Sequence, residues 1–481
     1  MNILSTGTMI FVFFGLLVYY LIPQRLRRFW LLLQSGLFIA FCSPLGPVFV
    51  LGTSLAAYLA ARRMPTSPRP RRLLLGSMGL CLLILLVLKY VAAWLPQAPH
   101  AFIVRYLYPI GLSYYTLQLL SYLLDVYWGR IEPERDFSKL LLFVCFYPQL
   151  IQGPISKYSE LGGQLLGETP FSWKNLKYGV QLMLWGFFKK MVIADQLAYP
   201  VQETFWSGNL PSGFAVWVGL FFYSIQLYCD FSGGIDIVRG IAQCYGIGLK
   251  ENFRQPYFAQ SLGEFWRRWH ISLGEWMKDY VFYPISTSKG MAKLKKRVKA
   301  HSDRKTATRV SIALADIAVF ALVGLWHGTG TNYLAWGLYN GLILAMSALL
   351  EDRYRAAKAA LHIPSEHVLW KGFCIVRTFL IVLVGNAFDC ASDFTGALRI
   401  LAHMVNPRGF FSYPLTLSDI AIRMGVALIA VDLLHEKGLS VRDRLNGRPY
   451  WVQLIFWTFV LQIIVCYGKN FGVGGFMYAN F

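Results

Sequence analysis

The stretch YSIQLYCDFSGGIDIVRGIAQCYGIGLKENFRQPYFAQSLGEFWRRWHISLGEWMKDYVFYP, residues 223–284, decides how the rest of this chain is read. An apolar segment runs into Cys229, Asp230, Phe231, Ser232, Gly233 and Gly234. Soon afterwards Trp266, Arg267, Arg268, Trp269 and His270 crowd together, with Glu264 and Asp279 nearby. Ionisable side chains at that density beside bilayer-grade hydrophobicity are expensive, so a functional site is the default reading.

Working outward, 56% of the 481 residues are hydrophobic and only 15% are charged, the profile of a polytopic membrane protein and not of a soluble one. A formal charge of +21 raises the question of nucleic acid. Most of the excess lies in short tracts between apolar segments, which the positive-inside rule explains more simply. The eight cysteines are scattered, mostly within apolar runs and without a CxxC pair, so they read as small core residues and supply neither a disulfide framework nor a metal site. The first apolar run, 9–22, lacks a basic leader and a small-residue cleavage site and reads as a retained first span.

Arg25, Arg27 and Arg28 follow that span and place its carboxyl end in the cytoplasm. Segments 29–42 and 46–60 suit a hairpin returning to the Arg-rich tract 62–72; 73–95 then crosses outward and 104–127 crosses back. The run 140–155, LLLFVCFYPQLIQGPI, is short and carries Pro148, Gly153 and Pro154, which predicts a re-entrant segment shielded by protein. Segments 175–195 and 212–229 form the next pair of crossings. The basic tract 286–309 reads as a cytoplasmic loop near anionic lipid, with docking of an acidic carrier or a phosphorylated donor as the alternative. Five further apolar segments follow, giving about twelve crossings with both termini outside. No internal repeat is visible, which weighs against the commonest transporter architectures.

Two histidines stand out, each preceded by Trp: His270 in WRRWHISL and His327 in GLWHGTGTNYL, at the end of an apolar span. A satisfied buried imidazole is the bland reading of either one. The pair together favours chemistry, since imidazole, with an unperturbed pKa of about 6.5, is the side chain suited to move protons near neutrality.

Seven strings in order carry a resemblance: PIGLSYYTLQLLSYLLDVYWG (109–129), FYPQLIQGPI (146–155), LMLWGFFKKMVIAD (182–195), YSIQLYCDFSGGIDIVRG (223–240), ENFRQPYF (251–258), FWRRWHISLGEWMKDYVFYP (265–284) and LWHGTGTNYLAWGLYNG (325–341). Together they resemble the membrane-bound O-acyltransferase family. Its bacterial branch, the membrane subunits of alginate and peptidoglycan O-acetylation, is the nearest likeness, and the D-alanyl transferase of teichoic acids is more distant. The likeness is detailed over 105–345. It implies one all-α polytopic membrane domain over 1–481, with re-entrant and interfacial helices around a central tunnel.

The resemblance also implies roles. His327, in the WHG motif, would be the catalytic base and His270 its companion, orienting the acceptor or polarising the acyl carbonyl. Asp230, Asp236, Arg267, Arg268, Trp269, Asp279, Trp326 and Asn332 would support the site or line the tunnel; an intramembrane network of paired charges is the structural alternative for the ionisable ones. No bound cofactor or metal is expected. Acetyl-CoA or an acyl carrier would donate from the cytoplasm, and an extracytoplasmic SGNH-type acyltransferase would be the partner. In the tail, Tyr478 would either anchor at the membrane interface or relay the acyl group as a phenol ester. A transporter or flippase for an envelope precursor, and a non-catalytic scaffold, remain the rival readings. A transporter would keep its function without both histidines, and a scaffold would not consume acetyl-CoA.

Overall fold

The computed structural model describes residues 4–469 apart from 168, 209, 212 and 407–418, and Tyr478 lies outside the described residues. Its regular structure is helical, and the one extended pairing among the described residues is an isolated bridge between Phe253 and Trp269. Five helices are long and apolar enough to cross a bilayer: Pro70–Val91, Phe214–Cys244, Arg304–His327, Val368–Cys390 and Tyr450–Tyr467. A sixth candidate is Thr331–Leu349 with Glu351–Ala360, bent by 60°. The fold class read from the sequence, an all-α polytopic membrane protein, is therefore what the chain adopts.

Several boundaries differ from the sequence reading, each for a local reason. Pro23, with no N–H to give, starts the helix Gln24–Cys42, so Arg25, Arg27 and Arg28 ride on its first turn and not in a loop. The run 104–127 is broken: the π-helical turns Ile103–Leu107 end at Tyr108, and Gly111, at φ +73°, is the N-cap of Leu112–Tyr127. The segment that the sequence ends at 229 continues without interruption to Cys244, as a single 31-residue helix. The tract 286–309 is mostly the helix Lys289–His301, opened by Ser288 accepting from the Met291 N–H. The interrupted run at 140–155 is broken as its prolines require, into Phe137–Cys145 and Tyr147–Gln152 followed by extended chain.

The chain forms two compact units. The first comprises 1–191, 230–251 and 457–481. In it the helix Trp173–Phe187 crosses the second half of Phe214–Cys244 at glycines spaced by seven: a Cβ at Gly233 would lie 2.8 Å from the Gly186 carbonyl oxygen, and one at Gly240 would lie 2.6 Å from that of Gly179. Small residues let the two backbones touch, which is how helices associate where lipid removes the hydrophobic drive. Over the π-helical turns Phe188–Ala194, Lys189 then reaches Asp236 at 2.7 Å and Ser232 at 2.9 Å, and Lys190 reaches Asp230 at 2.5 Å. Tyr147 and Tyr245, both fully buried, link hydroxyls at 3.2 Å, and Tyr245 continues to Gln34 at 3.0 Å.

The second unit comprises 192–229 and 252–456. Asp303 caps the helix Arg304–His327 by accepting from the Thr306 N–H at 2.6 Å. Gly341 presses the next helix, Thr331–Leu349, so closely that a Cβ there would lie 3.0 Å from the Ile317 Cα. Arg309 gathers Glu351 and Asp352 at the polar end of this pair. Of the eight cysteines, all free, six are buried, as their apolar contexts indicate.

Candidate active site

His270 sits where two short helices fail to join. Leu262–Arg268 ends at Trp269, and Ile271–Met277 begins one residue later, with His270 as its N-cap in the left-handed region at φ 47°, ψ 52°. The segment 252–254 runs antiparallel beside it and holds the break. Arg254 N–H donates to the Arg268 carbonyl at 2.9 Å and Ile271 N–H to the Asn252 carbonyl at 3.0 Å. The motifs ENFR and RRWH are thus one structural device.

Asn252 fixes the imidazole. Its Oδ1 accepts from the Ser272 N–H at 2.9 Å, which assigns the opposite end of the amide, Nδ2, to the His270 Nδ1 at 3.3 Å. An N–H donated to Nδ1 requires that nitrogen to be the acceptor, so the neutral ring carries its proton on Nε2. Burial pushes the His270 pKa down to about 3, and the ring is neutral at physiological pH. His270 is therefore built to donate a hydrogen bond through Nε2, and its other nitrogen is already engaged.

His327 closes the helix Arg304–His327 and is 4% exposed. Its ring lies edge-on to Trp326 at 5.2 Å between centroids and to Trp336 at 5.0 Å. Trp326 in turn meets His270 at 6.1 Å, and Trp266 meets Trp336 at 5.5 Å. The two histidines and three tryptophans make one continuous cluster of rings. Packed rings of this kind keep water away from the groups they surround.

The other residues singled out in the sequence divide. Trp326 and Asn332 stand at the site: Asn332 is buried, and its amide donates to the carbonyls of Phe388 at 3.1 Å and Ala391 at 3.0 Å, pinning the turn after His327. Trp269 stacks on Phe265 at 5.6 Å and supports the His270 break from behind. Arg268 is held by Glu264 at 2.7 Å and by both carboxylate oxygens of Glu436, at 2.6 and 2.9 Å; Arg267 is exposed, and Asp279 is half-buried on the π-helical turn Lys278–Phe282. Asp230 and Asp236 pair with Lys190 and Lys189 in the first unit, a paired-charge network built on lysines as well as on Arg239, 3.6 Å from Asp236. Sequence reasoning missed Asn252, Trp336 and the pair formed by buried Tyr223 and half-buried Asp389, whose hydroxyl and carboxylate meet at 2.8 Å. A lone Asp within the apolar run 373–388 and its edge was the available signal.

Known proteins resemble the chain over this ground and beyond it. A family model described as MBOAT, membrane-bound O-acyltransferase family, matches residues 135–299. The probable alginate O-acetylase AlgI of Azotobacter vinelandii is 31% identical over 473 residues, covering 93% of this chain and 87% of that protein. The Pseudomonas putida protein of the same description is 32% identical over 84% of this chain and 80% of its own length. The peptidoglycan O-acetyltransferase of Helicobacter pylori is 29% identical over 84% of this chain and 80% of its own. Likeness sustained over most of such relatives, with the family's region covering the Asp230 motif and the His270 break, means that this chain belongs to the membrane-bound O-acyltransferase family.

Proposed function

We propose that this protein moves an acyl group, acetyl by the description of its alginate and peptidoglycan relatives, from a cytoplasmic thioester donor across the membrane toward hydroxyls of a cell-envelope or secreted polysaccharide. The observation that carries the reading is the asymmetry of the two histidines. His270 is fixed as a neutral Nε2–H donor by Asn252, while His327 lies across Trp326 from it at the end of its own helix. In the reaction His327 takes the proton of the acceptor hydroxyl as its oxygen attacks the thioester carbonyl. His270 donates to the carbonyl oxygen as negative charge gathers there. The carbon–sulfur bond then breaks, and the proton passes from His327 to the departing thiolate. General-base assistance of this kind is typically worth about 10²–10⁴-fold, and one aimed donor at the oxyanion about 10²–10³-fold.

The donor, acetyl-CoA or an acyl carrier, enters from the cytoplasm under the charge rule that places 286–309 inside. The protein then resides in the bacterial cytoplasmic membrane with both termini outside, and hands its product to an extracytoplasmic SGNH-type transferase. Tyr478 is the proposed relay to that partner, and Tyr478→Phe with retained surface acetate leaves it only an anchor. His327→Ala is expected to abolish ester-linked acetate released from the envelope by mild base, at unchanged protein abundance. Undiminished acetate would sink the reading and favour transport of a precursor instead.

A further inference from the structure

Glu436 ends the helix Asp419–Glu436, in the same compact unit as both histidines. Its two carboxylate oxygens accept from the two terminal nitrogens of the Arg268 guanidinium, at 2.6 and 2.9 Å, across 168 residues of chain. Arg268 is the last residue of its helix before the His270 break. Exposed ion pairs are commonly worth little. This one is bidentate and its guanidinium is mostly covered, the arrangement in which such a pair fixes geometry.

What Arg268 holds is the joint between the break and the segment beside it. Its carbonyl accepts the Arg254 N–H at 2.9 Å, and its guanidinium donates to the Gln255 carbonyl at 3.2 Å. Gln255, at φ 38°, shares with His270 a left-handed backbone that favours glycine, and such backbone persists only where its surroundings hold it. Arg268 bonds directly to the first of these residues and stands two positions before the second. The same segment leads back to Asn252, whose side chain grips the His270 ring. The other carboxylate on Arg268, that of Glu264, lies on the same short helix and moves with it. Glu436 comes from a different helix, so it ties the break to a separate part of the unit.

We propose that Glu436 is a positioning residue for acyl transfer: by clamping Arg268 it keeps the segment 252–255 seated against the break, so that Asn252 holds His270 aimed through Nε2. The proposal rests on the acyl-transfer reading, in which His270 donates to the carbonyl oxygen, and deepens it. It makes the aim of that donor depend on a carboxylate outside every motif that marks the site in the sequence.

The test keeps the cell's own acceptor and partner in place. Cells carrying the full-length protein are pulsed with radiolabelled acetate, and the rate at which base-labile label appears on the envelope is divided by protein abundance. Glu436→Ala should lower that rate about tenfold, a part of the 10²–10³-fold worth of one aimed oxyanion donor. In a His270→Ala background, where no donor is left to aim, the same change should lower it less than about twofold. A merely structural role would move both backgrounds alike. Should the Glu436→Ala protein fail to accumulate, Glu436→Gln, which keeps the shape and one accepting oxygen, decides the matter with a loss of about threefold confined to the His270 background. Should the His270→Ala background label too slowly to compare, the ring nitrogens decide: in nitrogen-15 spectra of the protein in lipid nanodiscs, the Glu436 variant should turn the single Nε2–H tautomer of His270 into a mixture. Equal losses in both backgrounds, an unchanged rate, or an unchanged tautomer overturn the proposal. Cells that lack this protein yet label their envelope as fast as wild type overturn the acyl-transfer reading itself.

Discussion

At His270, glutamine is the informative replacement. Its carboxamide can present an N–H where Nε2 stood but cannot act as a base. If His270 is a donor, His270→Gln should keep roughly tenfold more rate than His270→Ala, a fraction of the 10²–10³-fold worth of one oxyanion donor. At His327 the same exchange should give no rescue, because a base is what is lost. Initial rates of acetyl transfer for the four variants test this, and rescue at His327 but not at His270 would reverse the assignment. A second expectation concerns acid. The folded pKa of His270 is about 3 whereas the ordinary value is 6.5, so below 6.5 the unfolded chain takes up a proton that the native site refuses. The ring's contribution is thus whole above about pH 6.5 and is lost as the pH falls toward 3, at up to roughly 1.4 kcal/mol per pH unit. Melting temperatures between pH 7 and 4 should fall less steeply in His270→Gln than in wild type. Parallel slopes would show that the site admits protons freely.

At the scale of elements, the crossing of Trp173–Phe187 with the second half of Phe214–Cys244 depends on absent side chains. The two nearest atoms that a Cβ at Gly233 would meet, the Gly186 carbonyl oxygen and the Lys190 nitrogen, belong to backbone, which cannot turn aside as a side chain can. Gly233→Val should therefore separate the helices and cost upwards of about 3 kcal/mol, beyond the usual range for overpacking. Gly79→Ala, where nothing lies within 4 Å, should be neutral or slightly stabilising. Thermal unfolding of the two proteins in detergent gives the comparison, and similar melting points would refute close packing at Gly233. The same crossing brings Lys189 and Lys190 to Asp236 and Asp230. A motif that reads as chemistry in one dimension is therefore built first as packing and charge neutralisation.

For the whole molecule, orientation is open to a direct experiment. Six of the eight cysteines are buried, so a cysteine-free background removes few accessible thiols. Single cysteines returned at the exposed positions Ser302 and Ser207 should label from the cytoplasm and from outside respectively. The opposite pattern would invert the direction of acyl flow. This scale also shows what the sequence could reveal. Long apolar runs such as Arg304–His327 were legible because length and hydropathy are local properties, and the two histidines because each stands beside Trp at the edge of such a run. The continuation of Phe214–Cys244 past Asp230 was not legible, since its charges are acceptable only beside lysines about forty residues away in sequence. Asn252 escaped for the same reason: an unremarkable Asn in a loop acquires its role only when the chain returns to lay Ser272 and His270 against it.

The left-handed backbone at His270 carries a consequence for descent. Glycine and asparagine adopt φ +47° with less strain than histidine does, and both also serve well as helix caps. Mutation that ignores catalysis would drift toward them, so under the proposed reaction the histidine is kept there for its chemistry and not for ease of folding. A homologue with glycine or asparagine there, and otherwise the same architecture, would be one from which the reaction has lapsed while the fold has relaxed.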